Sequence, residues 1–421
     1  MKDADARLPE IGPDSNTTPL MPLDAATATL ARRHAPLLRL DAAEPFRPDA
    51  AGITLLAPGQ RSPSCRHTPC APEGTAQVIE YALWWDGDIQ HLYELEHVWI
   101  SLDATGRPLA CAASAHGALR EMDCAWQDHR PVLFCEPGKH AHAGDPAPIL
   151  DRRAALTRTC TSAEDLTGIA IPDMLAAELS FLSAYDQFLG REYLASLRFT
   201  PTFDFTVTAD TSDLLYLSWP ELRAEIPRDL RARLETLRRR RRGLKAVFLD
   251  SGNTLIDEPS QIWDADRTDI VLSADPIPGG DTLVAALRAR GLPVALVADG
   301  REESFVNVHG AMGFWNMFDS KAISENVGAA KPHPRMFTEA MRKLGLRPED
   351  GPGIVMLGNN MKRDIRGANA LGLTSVWLDR NDRYDRVPEG EQDMADHTIP
   401  DLDSFLALIE TLQQASGWNN E

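Results

Sequence analysis

Polar residues follow several short apolar segments in the C-terminal half of the chain, and their types and positions could support phosphoryl chemistry. In open α/β sheets the reacting groups lie at the carboxyl ends of the strands. A carboxylate at such an end can attack phosphorus and form an aspartyl phosphate, so Asp250 is the predicted nucleophile. The segments and the polar residues that follow them are, in chain order, KAVFLD with Asp250, PVALVAD with Asp299, KAISE with Lys331, and GIVMLGN with Asn359 and Asp364.

This chemistry needs positive charge, because an anionic nucleophile attacks an anionic phosphate. Mg²⁺, which prefers oxygen ligands, and a lysine aimed at the phosphoryl oxygens can both supply it.

Taken singly, an Asp after a strand often forms only a turn or a cap. The candidate catalytic residues are Asp250, Lys331 and Asp299, the candidate phosphate-binding residues are Gly252, Asn253, Thr254 and Gly300, and the candidate Mg²⁺ ligands are Asp250, the Gly252 carbonyl, Asn359 and Asp364.

Strand and helix patterns alternate after Gly243. The apolar segments predict buried parallel strands, and amphipathic segments such as TLVAALRARG and PRMFTEAMRKLG predict crossover helices between them. This order predicts an α/β fold of the Rossmann-like type, a doubly wound parallel sheet with right-handed connections. The domain is predicted to occupy residues 244–421.

Four motifs in this region resemble those of the haloacid dehalogenase superfamily, a large group dominated by Mg²⁺-dependent phosphohydrolases. The resemblance implies an enzyme, a phosphatase with Mg²⁺ as cofactor that acts on a phosphorylated substrate through an aspartyl-phosphate intermediate. The sequence leaves the identity of that phosphate ester open. VFLDSGNTL is similar to the nucleophile motif, VALVADG to the second motif, AAKPHPRMF to the lysine motif and VMLGNNMKRD to the acidic metal motif.

Three positions depart from the pattern of that superfamily. Its phosphatases usually carry a second Asp two residues after the nucleophile as general acid/base, where this chain has Gly252. The second motif has Ala298 in place of Ser or Thr, and the last has Asn359 in place of Asp, which removes one negative charge from the Mg²⁺ ligands. An alternative therefore stays open, in which the domain is a catalytically degenerate binding or scaffold module.

The stretch of chain between Asp250 and Ala298 is short, and the predicted helix TLVAALRARG takes up much of it. It leaves no room for the large inserted cap typical of superfamily members that act on small molecules. The domain is therefore predicted to be capless, with an open site. The resemblance implies that such members act on bulky substrates or take a lid from a neighbouring domain, which here is the N-terminal one.

The N-terminal half has a different pattern. Residues 1–28, rich in Asp, Pro, Thr and Ala, predict a flexible leader. Short apolar runs separated by Pro, Gly and Asp predict a β-rich, sandwich-like domain with added helices at 29–205, one of them over 174–197. A helical connector is predicted at 206–243, ending in the arginine run 238–242. This run could bind phosphate or nucleic acid, or it could only place cations at a helix C-terminus.

Histidine and acidic residues cluster in the β-rich domain and predict a second divalent metal site. The H-x-x-E-x-E spacing puts Glu94 and Glu96 on one side of a strand, near a turn that could carry His91 to them. The candidate ligands are His91, Glu94 and Glu96 with His116 or His140. Alternatively, scattered histidines on strands are structural residues whose bonds are satisfied within the domain.

The segments IQHLYELEHVWI and RPVLFCEPGKHA resemble the necrosis-inducing toxin-like β-sandwich families and their vacuolar-sorting-associated relatives. Those families have an H-x-x-D-x-E metal motif, with Glu94 at the Asp position in this chain. The resemblance implies a β-sandwich and a bound metal. It also keeps a third option open, in which the chemistry of the chain takes place at this N-terminal site.

Composition limits the partners of the chain. Its 43 Lys and Arg against 62 Asp and Glu give a formal charge of −19, which disfavours general nucleic-acid binding and anionic membranes. No apolar run has the length of a membrane helix, and MKDADARLPE does not predict a secretory signal, so a cytoplasmic location is expected. The 6 cysteines match neither a metal knuckle nor a disulfide scaffold. The oligomeric state stays open.

Overall fold

Two units make up the chain. Residues 1–86, 94–158 and 200–226 form the first unit, and residues 87–93, 159–199 and 227–421 form the second. The computed structural model describes residues 22–162, 167–380, 383–384 and 386–418. Most of the predicted leader lies outside the described residues, and a helix that Asp24 caps begins at Ala25, inside the leader's predicted C-terminal end.

Two β-sheets form the first unit, and the longest strands of the larger sheet are buried over most of their length. In the larger sheet, the edge strand Leu215–Ser218 pairs in parallel with Pro48–Leu56. All other neighbouring strands of the larger sheet pair antiparallel. The larger sheet has the order Leu215–Ser218, Pro48–Leu56, Gln77–Trp85, Glu94–Leu102, Pro108–Ala115 and Ala118–Glu121, and the smaller has the order Val207–Asp210, Leu37–Leu40, Arg130–Cys135 and Trp126–Gln127, with His142–Ala143 also paired to Arg130–Cys135.

Side chains from both sheets meet in one buried cluster. Leu38 and Leu133 enter it from the smaller sheet, and Ile79, Trp85 and Val98 enter it from the larger one. Burial of this apolar surface holds the sheets face to face. The β-rich prediction for this part of the chain is confirmed. The helices that begin in this unit are Ala25–His34, Ala147–Asp151, Arg153–Thr161 and Trp219–Arg240, of which the last two continue into the second unit.

A six-stranded parallel sheet forms the centre of the second unit. Its three central strands are buried along their whole length, as their continuous apolar sequences predict. The strand order reverses at Ala246–Leu249, which is the place where doubly wound sheets bind ligands. The order is Ser320–Ile323, Val294–Ala298, Ala246–Leu249, Ile354–Gly358, Thr374–Leu378 and His397–Ile399.

Helices connect these strands and confirm the predicted Rossmann-like α/β fold of the C-terminal region. Two short antiparallel pairs complete the unit: Arg241–Arg242 with Gly417–Trp418, and Ile262–Trp263 with Val271–Ser273. None of the helices in the described ranges of the chain combines the length and the apolar composition needed to cross a membrane. The helices of the second unit are Ala184–Ser196, Leu283–Ala289, Glu302–Ala311, Ser324–Val327, Pro334–Leu344, Arg366–Asn369 and Leu402–Gln414, with a π-helical turn at Met361–Ile365.

Two predicted helices start later than the sequence patterns indicate. The helix predicted over 174–197 begins at Ala184, because Ser183 caps its N-terminus and exchanges hydrogen bonds with Asp186 in a capping box. This helix belongs to the second unit, not to the β-rich one. In the predicted connector 206–243 the helix begins only at Trp219, since residues 207–218 supply two strands to the sheets of the first unit.

The arginine run is part of the packing of the second unit. Arg238 is 10% exposed, and its guanidinium donates to Asp186 at 3.1 Å, to Asp350 at 3.3 Å and to the Gly345 carbonyl at 2.8 Å. Arg241 is buried and pairs with Glu192 at 3.1 Å. These contacts favour the structural interpretation of the run over a phosphate-binding or nucleic-acid-binding one.

We expect Arg238→Ala to lower the free energy of unfolding of the second unit by about 3 kcal/mol, because it leaves two buried carboxylates without this partner. The exposed neighbour Arg239 provides the matched control, and Arg239→Ala should change stability by less than about 0.5 kcal/mol. Urea unfolding followed by circular dichroism measures both. Equal stability of the two variants would show that the run is only a solvated charge cluster.

Candidate active site

A cavity of about 690 Å³ opens at the carboxyl ends of the parallel strands in the second unit. Its position follows from the topology, because the strands Ala246–Leu249, Val294–Ala298 and Ile354–Gly358 all end at this edge. Seven of the residues predicted to do chemistry line the cavity. They are Asp250, Gly252, Asp299, Gly300, Lys331, Asn359 and Asp364.

Asp250 is held in place by a backbone hydrogen bond and by contacts of both carboxylate oxygens with neighbouring side chains. Its N–H donates to the Leu357 carbonyl at 3.0 Å, which continues the ladder between two central strands. Oδ1 lies 2.5 Å from the Lys331 ammonium, and Oδ2 accepts from the Thr254 hydroxyl at 3.2 Å. The side chain is 12% exposed, so a small ligand in the cavity can reach it.

Lys331 joins two carboxylates. Its ammonium, 2% exposed, also lies 2.7 Å from Asp364 Oδ1, and its backbone N–H donates to Asp299 Oδ1 at 2.9 Å. Burial alone would lower the pKa of Lys331, but the carboxylates of Asp250, Asp364 and Asp299 outweigh burial and raise it. The lysine therefore stays charged, as a group that stabilises phosphoryl oxygens must.

Asp364 lies deeper than Asp250. Its Oδ2 accepts the Asn360 N–H at 3.0 Å, and burial, with the nearby charge of Asp250, raises its pKa to about 7. The close approach depends on Gly358, since a Cβ at that position would overlap the Asp364 carboxyl group. The glycine thus lets the last strand and the turn after it pack together.

The predicted Mg²⁺ ligands fit a hard divalent cation. The donors are oxygens, and Asp250 and Asp364 provide the negative charge that such a cation requires. Asn359 has a buried side-chain nitrogen with no hydrogen-bond partner, while its carbonyl accepts from Trp377 Nε1 at 3.1 Å. Its amide side chain is therefore not tied to a neighbouring group and is free to present its oxygen to a cation.

Three predicted phosphate-binding residues instead make contacts within the protein. The Asn253 N–H donates to the Ile256 carbonyl at 2.7 Å, and the Gly300 N–H donates to Ser324 Oγ at 2.9 Å. Thr254 supports Asp250 through its hydroxyl. Phosphate binding by these residues stays a prediction, and in the observed arrangement the Asn253 and Gly300 N–H groups are already engaged.

Glu258 is a cavity residue that sequence reasoning misses. Its carboxyl group, 19% exposed, accepts from Asn253 Nδ2 at 2.8 Å and lies 2.9 Å from Arg383 Nε. Burial raises its pKa, Arg383 opposes the rise, and the charge of Asp250 adds to it. No motif spacing marks this residue, because its position depends on how the loop after Asp250 folds back.

A short hairpin lies in the stretch of chain between Asp250 and Ala298. Strands Ile262–Trp263 and Val271–Ser273 pair beside the cavity, and Trp263 is 50% exposed at its edge. The Val271 N–H donates to Ser304 Oγ at 2.9 Å, which ties the hairpin to the helix Glu302–Ala311. Trp263 and Val271 of this hairpin line the cavity.

The candidate N-terminal metal ligands are divided between the two units. His91 belongs to the second unit, where its Nδ1 lies 3.0 Å from Asp88 Oδ2. Glu94 and Glu96 begin a strand of the first unit. Burial raises the pKa of Glu96 to about 7, although a hydrogen bond from Ser114 opposes the shift.

His116 and His140 also lie in the first unit, each beside a carboxylate. His116 Nε2 is 2.7 Å from Glu136, and His140 Nε2 is 3.4 Å from Glu44. The buried ring of His140 stacks on Trp85 with a centroid separation of 3.9 Å. Neither ring nitrogen of the buried His140 has a hydrogen-bond partner, so its bonds are not satisfied within the unit, and the second metal stays a prediction.

Comparison with known proteins matches part of the chain to a family. Residues 199–372 match the haloacid dehalogenase-like hydrolase family. The chain is 31% identical over 137 residues to the glyceraldehyde 3-phosphate phosphatase of Methanopyrus kandleri, an alignment that covers 32% of this chain and 58% of that protein. It is 35% identical over 135 residues to the phosphoserine phosphatase of Thermus thermophilus, with 31% and 50% covered.

Among solved structures, a HAD phosphatase from Thermococcus onnurineus is 27% identical, with 32% of this chain and 59% of that chain covered and a TM-score of 0.29. The chain spans about half the length of the curated relatives that it matches, between 50% and 58% for the two described above. The resemblance of the N-terminal segments to toxin-like β-sandwich families stays a prediction.

Proposed function

We propose that the haloacid dehalogenase-like hydrolase domain that this chain contains, at residues 199–372, is a phosphatase that hydrolyses a phosphate monoester with Asp250 as nucleophile. The placement of Asp250 supports this most directly. It ends the central strand, faces the cavity, and has one oxygen beside the Lys331 ammonium. The phosphatase names of two relatives point in the same direction.

In the proposed reaction a carboxylate oxygen of Asp250 attacks phosphorus. The bond from phosphorus to the ester oxygen breaks, and its electron pair leaves with that oxygen, so that an aspartyl phosphate forms. Water then attacks phosphorus and returns the Asp250 carboxylate together with inorganic phosphate. Lys331, fixed between Asp250 and Asp364, lies where it can stabilise the charge that collects on the phosphoryl oxygens.

Mg²⁺ is the proposed cofactor. Asp250, the Gly252 carbonyl, Asn359 and Asp364 would hold it, and it would supply further positive charge to the phosphoryl group. Asn359 in place of an Asp leaves two charged ligands in this set, Asp250 and Asp364. A second divalent metal in the N-terminal region is a separate proposal that no part of this reaction needs.

The cavity supports a small phosphorylated substrate. Its volume of about 690 Å³ lies within the usual range for small-molecule sites. Arg301, Arg363 and Arg383 line it and suit an anionic ligand. We propose that the domain is capless in the sense of its superfamily, with the short hairpin Ile262–Trp263 and Val271–Ser273 beside the opening; a bulky phosphorylated substrate is the alternative.

A phosphate-release assay tests the proposed function. We expect the full chain to release phosphate from a panel of small phosphomonoesters in the presence of Mg²⁺. Phosphate release should stop when EDTA is added and should recover when excess Mg²⁺ is added. If no ester of the panel releases phosphate and no phosphate analogue binds in the presence of Mg²⁺, the domain is instead a degenerate binding module. Activity lost in His91→Ala but kept without Asp250 would place the chemistry at the N-terminal site.

A further inference from the structure

The loop that follows the nucleophile brings a second carboxyl group back to it. A Cβ added to Gly252 would overlap Glu258 Oε1 and lie 2.8 Å from Glu258 Cδ. The Glu258 carboxyl group thus fills the space in which a side chain at position 252 would begin. Both residues line the cavity together with Asp250.

Asn253 fixes this carboxyl group. Its Nδ2 donates to Glu258 Oε2 at 2.8 Å, and its Oδ1 accepts the Glu258 N–H at 3.2 Å. Asn253 is fully buried and has a φ of 54°, a left-handed conformation that asparagine tolerates better than most residues. Since Arg383 also lies on Oε2, at 2.9 Å, the other oxygen is the one beside Gly252.

Cleavage of an alkyl phosphate requires a proton for the departing oxygen, because an alkoxide is a poor leaving group. Glu258 differs from the other carboxylates around the cavity by its place beside Gly252, two residues after Asp250. Asp299 accepts the Lys331 N–H through Oδ1, and its buried Oδ2 lies 3.6 Å from Arg363. Asp364 lies 2.7 Å from the Lys331 ammonium. Two more pair with one arginine, Asp269 with Arg301 at 2.8 Å and Glu325 with Arg301 at 2.7 Å.

We propose that Glu258 is the general acid and base of this active site. It takes the role that a carboxylate at position 252 would have. The inference rests on the proposed phosphatase function and adds a residue to it. When the bond from phosphorus to the ester oxygen breaks, Glu258 gives its proton to that oxygen, and an alcohol leaves. The Glu258 carboxylate then takes a proton from the water that attacks the aspartyl phosphate.

The leaving group of the substrate tests this role. p-Nitrophenolate needs little protonation, whereas an alkoxide needs a full proton. In single-turnover experiments with the full chain and Mg²⁺, we expect Glu258→Gln to slow cleavage of an alkyl phosphate about 100-fold or more and that of p-nitrophenyl phosphate less than about 10-fold. Glu303→Gln makes the same chemical change at an exposed residue that does not line the cavity and should slow both substrates equally little.

A second variant keeps the test independent of local folding. Gly252→Asp alone should be poorly active, since the new side chain overlaps Glu258. Gly252→Asp combined with Glu258→Ala restores one carboxyl group to the same space, so we expect it to cleave the alkyl phosphate faster than Glu258→Ala does. Circular dichroism checks that each variant is folded.

The outcomes separate this inference from the proposed function. Equal slowing of both substrates by Glu258→Gln, with no gain in the double variant, would show that Glu258 only shapes the loop and would overturn the inference alone. Release from wild type that depends on Asp250 establishes the hydrolase in either case. A wild-type chain without such release would overturn the proposed function and this inference together.

Discussion

Asp250→Asn is expected to reduce phosphate release by at least about 10³-fold while the chain stays folded. The amide keeps the shape of the carboxyl group but cannot attack phosphorus. Asp364 still pairs with the Lys331 ammonium at 2.7 Å, so the buried lysine keeps a carboxylate partner and the stability loss should be small. Initial rates with Mg²⁺, together with thermal unfolding, measure both effects.

Asp257→Asn is the matched control for this variant. Asp257 lies on the same loop, is 34% exposed, and pairs with Arg380 at 3.5 Å instead of facing the cavity. Its replacement should leave the rate within a factor of two. Trapping of a phosphorylated intermediate should succeed in wild type and in Asp257→Asn and fail in Asp250→Asn. Unchanged release from Asp250→Asn would overturn the assigned nucleophile.

Lys331→Met is expected to reduce both stability and activity. It removes the cation that lies 2.5 Å from Asp250 and 2.7 Å from Asp364, so two carboxylates stay buried without it. Loss of one partner from such a buried ionic cluster costs about 3 kcal/mol of unfolding free energy. Activity should fall as well, because no ammonium is left to stabilise the phosphoryl oxygens.

Urea unfolding of Lys331→Met measures the stability loss, and Lys343→Met is its control. Lys343 is 37% exposed on a surface helix, where loss of an ion pair changes stability by less than about 1 kcal/mol. Lys331→Met combined with Asp364→Asn should recover part of the stability without the activity. A Lys331→Met chain as stable as the control would contradict the role given to this cluster.

The α/β fold of the second unit could be predicted from its sequence because its signals are local. Each central strand is an uninterrupted apolar segment, which a parallel sheet buried on both faces requires. Asp250, Asp299 and Asn359 directly follow such segments, so strand boundaries and candidate site positions are found together. Lys331 lies on the loop after the edge strand Ser320–Ile323 and the short helix Ser324–Val327, and it meets Asp250, 81 residues away along the chain. The family assignment based on the four motifs is likewise confirmed.

Features that depend on how a loop folds, or on contacts distant in sequence, could not be predicted. Glu258 carries no pattern of its own, and only the fold of the loop shows that it reaches Gly252. Residues 207–218 join strands that lie far away along the chain, so their short segments resemble a connector. The late start of the helix at Ala184 had a usable signal, since Ser183 and Asp186 form the S-x-x-D pattern of a capping box.

The hairpin beside the cavity differs from the strands around it in how easily it can open. Ile262–Trp263 and Val271–Ser273 form too short a pair to be stable alone, and the hairpin is attached through polar contacts such as Val271 with Ser304. Local opening of such an element requires far less free energy than unfolding of a buried parallel sheet. The edge of the cavity that Trp263 lines therefore belongs to an element of lower local stability than the strand that Asp250 follows.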